Sequence, residues 1–227
     1  MSFLARTIFN VGVSTVTTAL FGGGRSNTGT IYNVIDTITI ETTGNSTSFG
    51  SLNTSTNYGL AACSSATRAL TGGGVNNSTG LAQSSMSYVD FSTPGNSTNF
   101  GNLTQARYYS VGCSSSTRGV FGGGQTDTNY TNVIDYITIA TTGNATSFGQ
   151  LSVARQEIGA CGSTTRGLFG GGQSSTTSLI EYITYASTGN ATTFGNLTVS
   201  RGGLAGCSSS TRGLFGGGQD TSLGQVA

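Results

Sequence analysis

The stretch Arg118-Gly119-Val120-Phe121-Gly122-Gly123-Gly124 decides how this chain is read, because it recurs. It returns as Arg-Gly-Leu-Phe-Gly-Gly-Gly at Arg166–Gly172 and again at Arg212–Gly218. Weaker copies are Arg68-Ala-Leu-Thr-Gly-Gly-Gly74 and Ala19-Leu-Phe-Gly-Gly-Gly24. The first glycines of the five runs, Gly22, Gly72, Gly122, Gly170 and Gly216, lie 50, 50, 48 and 46 residues apart. A fixed period in that range marks a solenoid, a propeller or an array. The 227 residues therefore read as one body of similar units.

Composition agrees. Charged residues are only 7% of the chain, which would suit disorder if apolar residues were equally scarce, but hydrophobic residues make up 35% and fall in short, evenly spaced runs. With 37 glycines between those runs, the pattern predicts an all-β fold with many tight turns. There is no Lys, no His and no Trp, and the net charge is +1. Such a surface has no electrostatic footprint for nucleic acid or an anionic membrane. The commonest general base and metal ligand is missing. No cofactor is expected, and no apolar run reaches the length of a membrane span.

The apolar N-terminus resembles a targeting signal in isolation. Yet Leu4-Ala5-Arg6 matches Leu151-Ser-Val-Ala-Arg155 and Leu197-Thr-Val-Ser-Arg201, and it runs on into the first glycine triplet as the later copies do. It is expected to be a repeat half and not a leader. The four cysteines, Cys63, Cys113, Cys161 and Cys207, hold one repeat position, with Val13 there in the first unit. A small apolar thiol replaceable by Val reads as core packing, not as a disulfide framework.

One unit, 103–149, shows four strand-like pieces. Arg107–Cys113 is the first, and Arg118–Phe121 the second, ending in the triplet. Val133–Ile139 alternates as a half-buried strand, the turn at Gly143-Asn144 follows, and Thr146–Gly149 is a short outer strand. The same frame gives units at 4–50, 52–101, 103–149 and 151–195, a partial unit at 197–219 and a tail at 220–227. Phe49, Phe100, Phe148 and Phe194 are the outer-strand aromatics. Four strands in about 48 residues is the content of one propeller blade.

The order Arg, small-apolar strand, apolar pair before a glycine cluster, aromatic strand and short fourth strand resembles the kelch repeat. The usual fourth-strand Trp is absent, and the four phenylalanines fall near its place. That resemblance implies a kelch-like β-propeller of four full four-stranded blades plus a half blade, closed as a four- or five-bladed ring or by pairing between subunits. The wording of the repeats also resembles kelch-like virion-associated proteins of tailed phages, marine ones especially. What this implies is a rigid structural or attachment component of a particle, with other virion proteins or copies of itself as partners.

The sites expected from the residues are few. Arg107, Arg155 and Arg201, with Arg6 and with Asn57 in the second unit, enter the first strand and are expected to bridge blades through backbone carbonyls. Asp36, Asp135 and Glu181 share a third-strand position, with Ser87 in the second unit; Arg68, Arg118, Arg166 and Arg212 share another and are the expected cross-strand partners. Asp127 and Glu157 read as isolated, so no acidic pair for glycoside hydrolysis is seen. Most length differences between units lie in the loops after the triplets, 25–31, 75–83, 125–131 and 173–177, a face on which repeat scaffolds often bind. Arg25, Tyr32, Asn76, Asp127 and Tyr130 are its candidate binding residues. The expectation is a non-enzymatic interaction protein, with a lectin-like propeller binding host-surface glycan as the alternative.

Overall fold

The structure, a computed structural model, describes residues 18–26, 28–53, 56–174 and 177–220. The chain is all-β, and no helix occurs among the described residues. The first sheet holds β1 (Thr18–Gly22), β2 (Val34–Thr39) and β3 (Thr47–Ser51). The second holds β4 (Thr56–Ser64), β5 (Arg68–Asn76), β6 (Ser85–Asp90) and β7 (Thr98–Asn102). The third holds β8 (Val111–Ser114), β9 (Arg118–Gly122), β10 (Val133–Thr138) and β11 (Thr146–Gln150). The fourth holds β12 (Gly159–Gly162), β13 (Arg166–Gly170), β14 (Leu179–Thr184) and β15 (Thr192–Asn196). The fifth pairs β16 (Ala205–Ser208) with β17 (Gly213–Gly216). Strands follow chain order within every sheet, and each neighbouring pair is antiparallel. Five antiparallel sheets of two to four strands are consistent with a β-propeller-like arrangement. The Leu4-Ala5-Arg6 repeat half and the tail from 221 onward lie outside the described residues.

Local chemistry explains the strand ends. In the third sheet the second and third triplet glycines, Gly123 and Gly124, take φ of 62° and 110°. A side chain resists that backbone, so the strand stops there and the chain turns back. The first strand is shorter than the sequence predicts: Arg107–Ser110 is not part of β8, because Tyr109 takes φ of 52° and breaks the extended run. The last strand of each of the first four sheets carries a bulge. Ile134 pairs with Gly149 and Asp135 with Ser147, which leaves Phe148 as the extra residue. The same shift recurs against Phe49, Phe100 and Phe194. A bulge re-aims a side chain, and here it seats Phe49, Phe100 and Phe148 in the core.

The core lies between successive sheets. Met86 and Phe100 of the second sheet pack in one cluster with Phe121, Ile137 and Ile139 of the third. Val120, Ile134 and Phe148 of the third do so with Phe169, Ile183 and Tyr185 of the fourth. Each such side chain contributes about 1.5–3 kcal/mol on full burial. Glycine sets how closely the sheets approach. A Cβ on Gly122 would lie 2.7 Å from the ring of Phe169 in the next sheet. A Cβ on Gly149 would overlap the Gly189 carbonyl in the turn of the next sheet. At the same place Asn190 Oδ1 accepts from the Gln150 amide at 3.1 Å, as Asn144 does from Asn102 and Asn96 from Ser51, both at 3.0 Å. Between the second and third sheets and between the third and fourth the junction repeats in full: a turn asparagine, a ring on a glycine, and a glycine under a carbonyl.

Candidate functional site

Most charged repeat positions serve the sheets. Arg107 Nη1 lies 2.9 Å from Asp135 Oδ2 and Arg155 Nη2 lies 2.8 Å from Glu181 Oε2, all four side chains being fully or almost fully buried. The carboxylates take further donors: Thr104 Oγ1 reaches Asp135 Oδ1 at 2.5 Å, and the Ser152 amide reaches Glu181 Oε1 at 2.9 Å. Burial pulls the Arg107 and Arg155 guanidinium groups down, and the adjacent carboxylates oppose it. The sequence expectation is corrected here in two ways. Asp135 pairs with Arg107, not Arg118, because the register sets Asp135 opposite Phe121 and Arg118 opposite Thr138. Arg118 instead lies over the Tyr136 ring at 4.4 Å and donates to the Tyr185 carbonyl of the next sheet.

Nor do the Arg107 and Arg155 side chains bridge sheets. Their guanidinium groups stay within their own sheet, donating to the Phe121 and Phe169 carbonyls. It is the Arg107, Arg155 and Arg201 carbonyls that cross, accepting from the Gly74, Gly124 and Gly172 amides at 2.8–2.9 Å. Arg201 donates to the Phe215 carbonyl at 3.1 Å and meets no carboxylate among the described residues. The second sheet departs as a set: Thr71 replaces the aromatic, and its hydroxyl bonds Ser87 at 2.9 Å where the others hold an acid.

Cys63, Cys113 and Cys161 are buried and Cys207 is exposed. The first strands of four sheets face a small pocket lined by Cys63, Gly112, Cys113, Cys161, Gly206 and Ser208. Burial pushes the Cys113 thiol up to about 12 and the Cys161 thiol to about 11, and Cys63 higher still. At neutral pH these are thiols and not thiolates, so they pack and do not attack. Cys207 differs because no described sheet lies beyond the fifth to cover it.

The loop face is where the candidate binding residues sit. Arg25 lies 5.6 Å from the Tyr58 ring centroid, and Tyr32 and Tyr130 are exposed. Asn76 is spent locally, its Oδ1 accepting from the Ser78 and Thr79 amides at 2.9 and 3.0 Å. Asp127 Oδ1 accepts from the Ala82 amide of the preceding loop at 2.7 Å. The structure brings Arg25 to Tyr58, and Asp127 and Tyr130 to Tyr108, whose hydroxyl is raised by burial and by Asp127, Tyr58 and Tyr130 around it.

Two residues were missed. Tyr109 and Glu157 take φ of 52° and 54° where Gly59 and Gly203 of neighbouring sheets take 68° and 70°. They form a staircase, the Tyr109 amide donating to Gly59 O at 2.8 Å, Glu157 to Tyr109 O at 3.1 Å, and Gly203 to Glu157 O at 2.9 Å. A non-glycine residue in that region costs about 1–2 kcal/mol. Tyr108 and Tyr109 stack edge-on at 5.0 Å. Glu157 Oε2 is shielded and unbonded, and burial raises its carboxyl. The signal was in the sequence: glycine in two units at the position where two others carry Tyr and Glu.

Among the described residues no three His, Cys, Asp or Glu side chains gather to hold a metal, and no helix is long and apolar enough to cross a membrane. No protein-family model matches the chain, and no curated protein matches it.

Proposed function

We propose that this chain is a kelch-like β-propeller of four blades and a half, acting as a non-enzymatic docking platform in a larger assembly. The assembly that the repeat wording suggests is a tailed-phage particle, with the platform in or on the tail. One observation carries this reading: the recurring charged groups and thiols are consumed inside the sheets and their core. The Arg107–Asp135 and Arg155–Glu181 pairs are buried, and so are three of the four thiols. What remains varied is the loop face and the two end sheets. Such a body acts through shape: a rigid, nearly neutral frame presents loops and edges to a neighbouring protein. The test is antibody labelling of particles from lysates of a host carrying the gene. Decoration of the tail supports the reading, and unlabelled particles overturn the virion placement.

A second reading is favoured by a separate observation. Tyr58, Tyr108, Tyr109 and Tyr130 gather with Arg25, Asp127 and Glu157 beside the variable loops, with two strained backbones among them. Strain of that kind collects at ligand sites, and tyrosine faces with a carboxyl suit neutral glycan. A glycan array separates the two readings. Retention that Tyr109→Ala abolishes supports the lectin-like one, and no retention removes it.

A further inference from the structure

The junction between sheets has two halves, and three full copies of its aromatic contact are present. The ring of Phe121 covers Gly72 of the sheet before it, Phe169 covers Gly122, and Phe215 covers Gly170; a Cβ on those glycines would lie 3.1, 2.7 and 2.9 Å from the ring. Beside the Phe121 and Phe169 rings a second contact forms. Ile139 packs in one cluster with Cys63, and Tyr185 with Cys113. A third crosses from the arginine that opens the second strand. Arg68 Nη1 donates to the Ile139 and Ala140 carbonyls at 3.3 and 2.9 Å, and Arg118 Nη1 donates to the Tyr185 carbonyl.

Both halves of one more such junction stand open, one on the first sheet and one on the fifth. On the first sheet, Phe21 is 38% exposed and Ile40, at the position of Ile139 and Tyr185, is 63% exposed. On the fifth sheet, a Cβ on Gly216 would meet nothing within 4 Å, Cys207 is exposed and Leu214 is 66% exposed. The residue types match the filled junctions at each point: a ring for a glycine, an aliphatic side chain for a thiol, and Arg212 for the Ile40 carbonyl.

We propose that the fifth sheet of one copy docks the first sheet of a second copy, with Phe21 over Gly216, Ile40 against Cys207 and Arg212 donating to the Ile40 carbonyl. The inference rests on the docking-platform reading and names its partner as the chain itself. The contact is heterologous, head to tail, so it builds a ring where the rotation closes and a filament where it does not. It continues the interface that already joins the sheets inside the chain, which is why a second copy fits better than an unrelated protein.

Two variants each remove one half. Gly216→Val fills the space for the ring; the φ of Gly216 is not left-handed and nothing surrounds it, so the isolated chain accommodates the change. Phe21→Ser removes the ring and makes the exposed surface more polar. Light scattering on the full chain is expected to give a multimer for the parent and a monomer for each variant, with both keeping the parent's sheet circular dichroism. An equimolar mixture is expected to double in mass to a dimer and stop there. Only the intact Phe21 of the Gly216→Val chain and the intact Gly216 of the Phe21→Ser chain can then meet. A monomeric parent, a multimer that neither variant weakens, or a mixture that stays monomeric overturns the head-to-tail contact. None of these results touches the particle labelling, so the broader reading stands or falls separately.

Discussion

The second and third sheets share strand order, bulge and junction, yet differ beneath the glycine triplet. The third buries Arg107 against Asp135 and places Phe121 over the preceding glycine. The second sets Thr71 and Ser87 there, 2.9 Å apart, and leaves a small pocket between Gly22, Ile35, Leu52 and Thr71. The positions change as a set. Removing one charge of a buried pair strands the other, while replacing both by groups that satisfy each other is far less costly. The third-strand residue beneath the triplet therefore needs a satisfied partner, not a charged one, and the charged pair is structural.

The largest expected effect breaks that pair. Arg155→Leu leaves Glu181 buried without its cation and should cost about 3–5 kcal/mol in urea unfolding. A loss within the scatter of surface substitutions would show that Glu181 has another partner. The comparison sharpens in a double change. Arg107→Asn alone should be costly, and adding Asp135→Ser, the state of the second sheet at that position, should recover stability. If the double variant is worse than the single, the stranded carboxylate is not what makes the single change costly.

Smaller effects are expected where the backbone is strained. Glu157→Gly restores the residue that the fifth sheet carries as Gly203, and should raise stability by at most about 1 kcal/mol, the relief of strain less the entropy of glycine. Its carboxyl is raised in the fold, so the folded chain holds that proton more tightly than the unfolded one. Stability from this group is fully present below the unfolded carboxyl value of about 4.3 and declines as pH rises toward the raised one. Glu157→Gln should remove that decline from the pH profile of the melting temperature; an unchanged profile would place the carboxyl in water. The smallest is chemical: Cys207 should be the only one of the four thiols to react quickly in the dissociated native chain.

How much of this was legible beforehand differs by residue. The glycine period carries the all-β architecture because turns and close approaches accept few other residues. The Arg107–Asp135 pair was missed because it depends on register, which places Asp135 three rungs from Arg118. The roles of Phe194 and Cys207 were also hidden. Phe194 matches Phe148 in sequence, yet it is 55% exposed where Phe148 is buried, because no described turn covers Gly195. Repetition encodes a position; the neighbour decides its burial.

The most direct measurement uses the absence of Trp from the chain. A single Phe21→Trp places the only indole at the open half of the junction. On the head-to-tail account its emission moves to the blue as concentration rises, and stays red when Gly216→Val is added. Emission that is red at every concentration, or blue emission that Gly216→Val leaves unchanged, contradicts docking between copies.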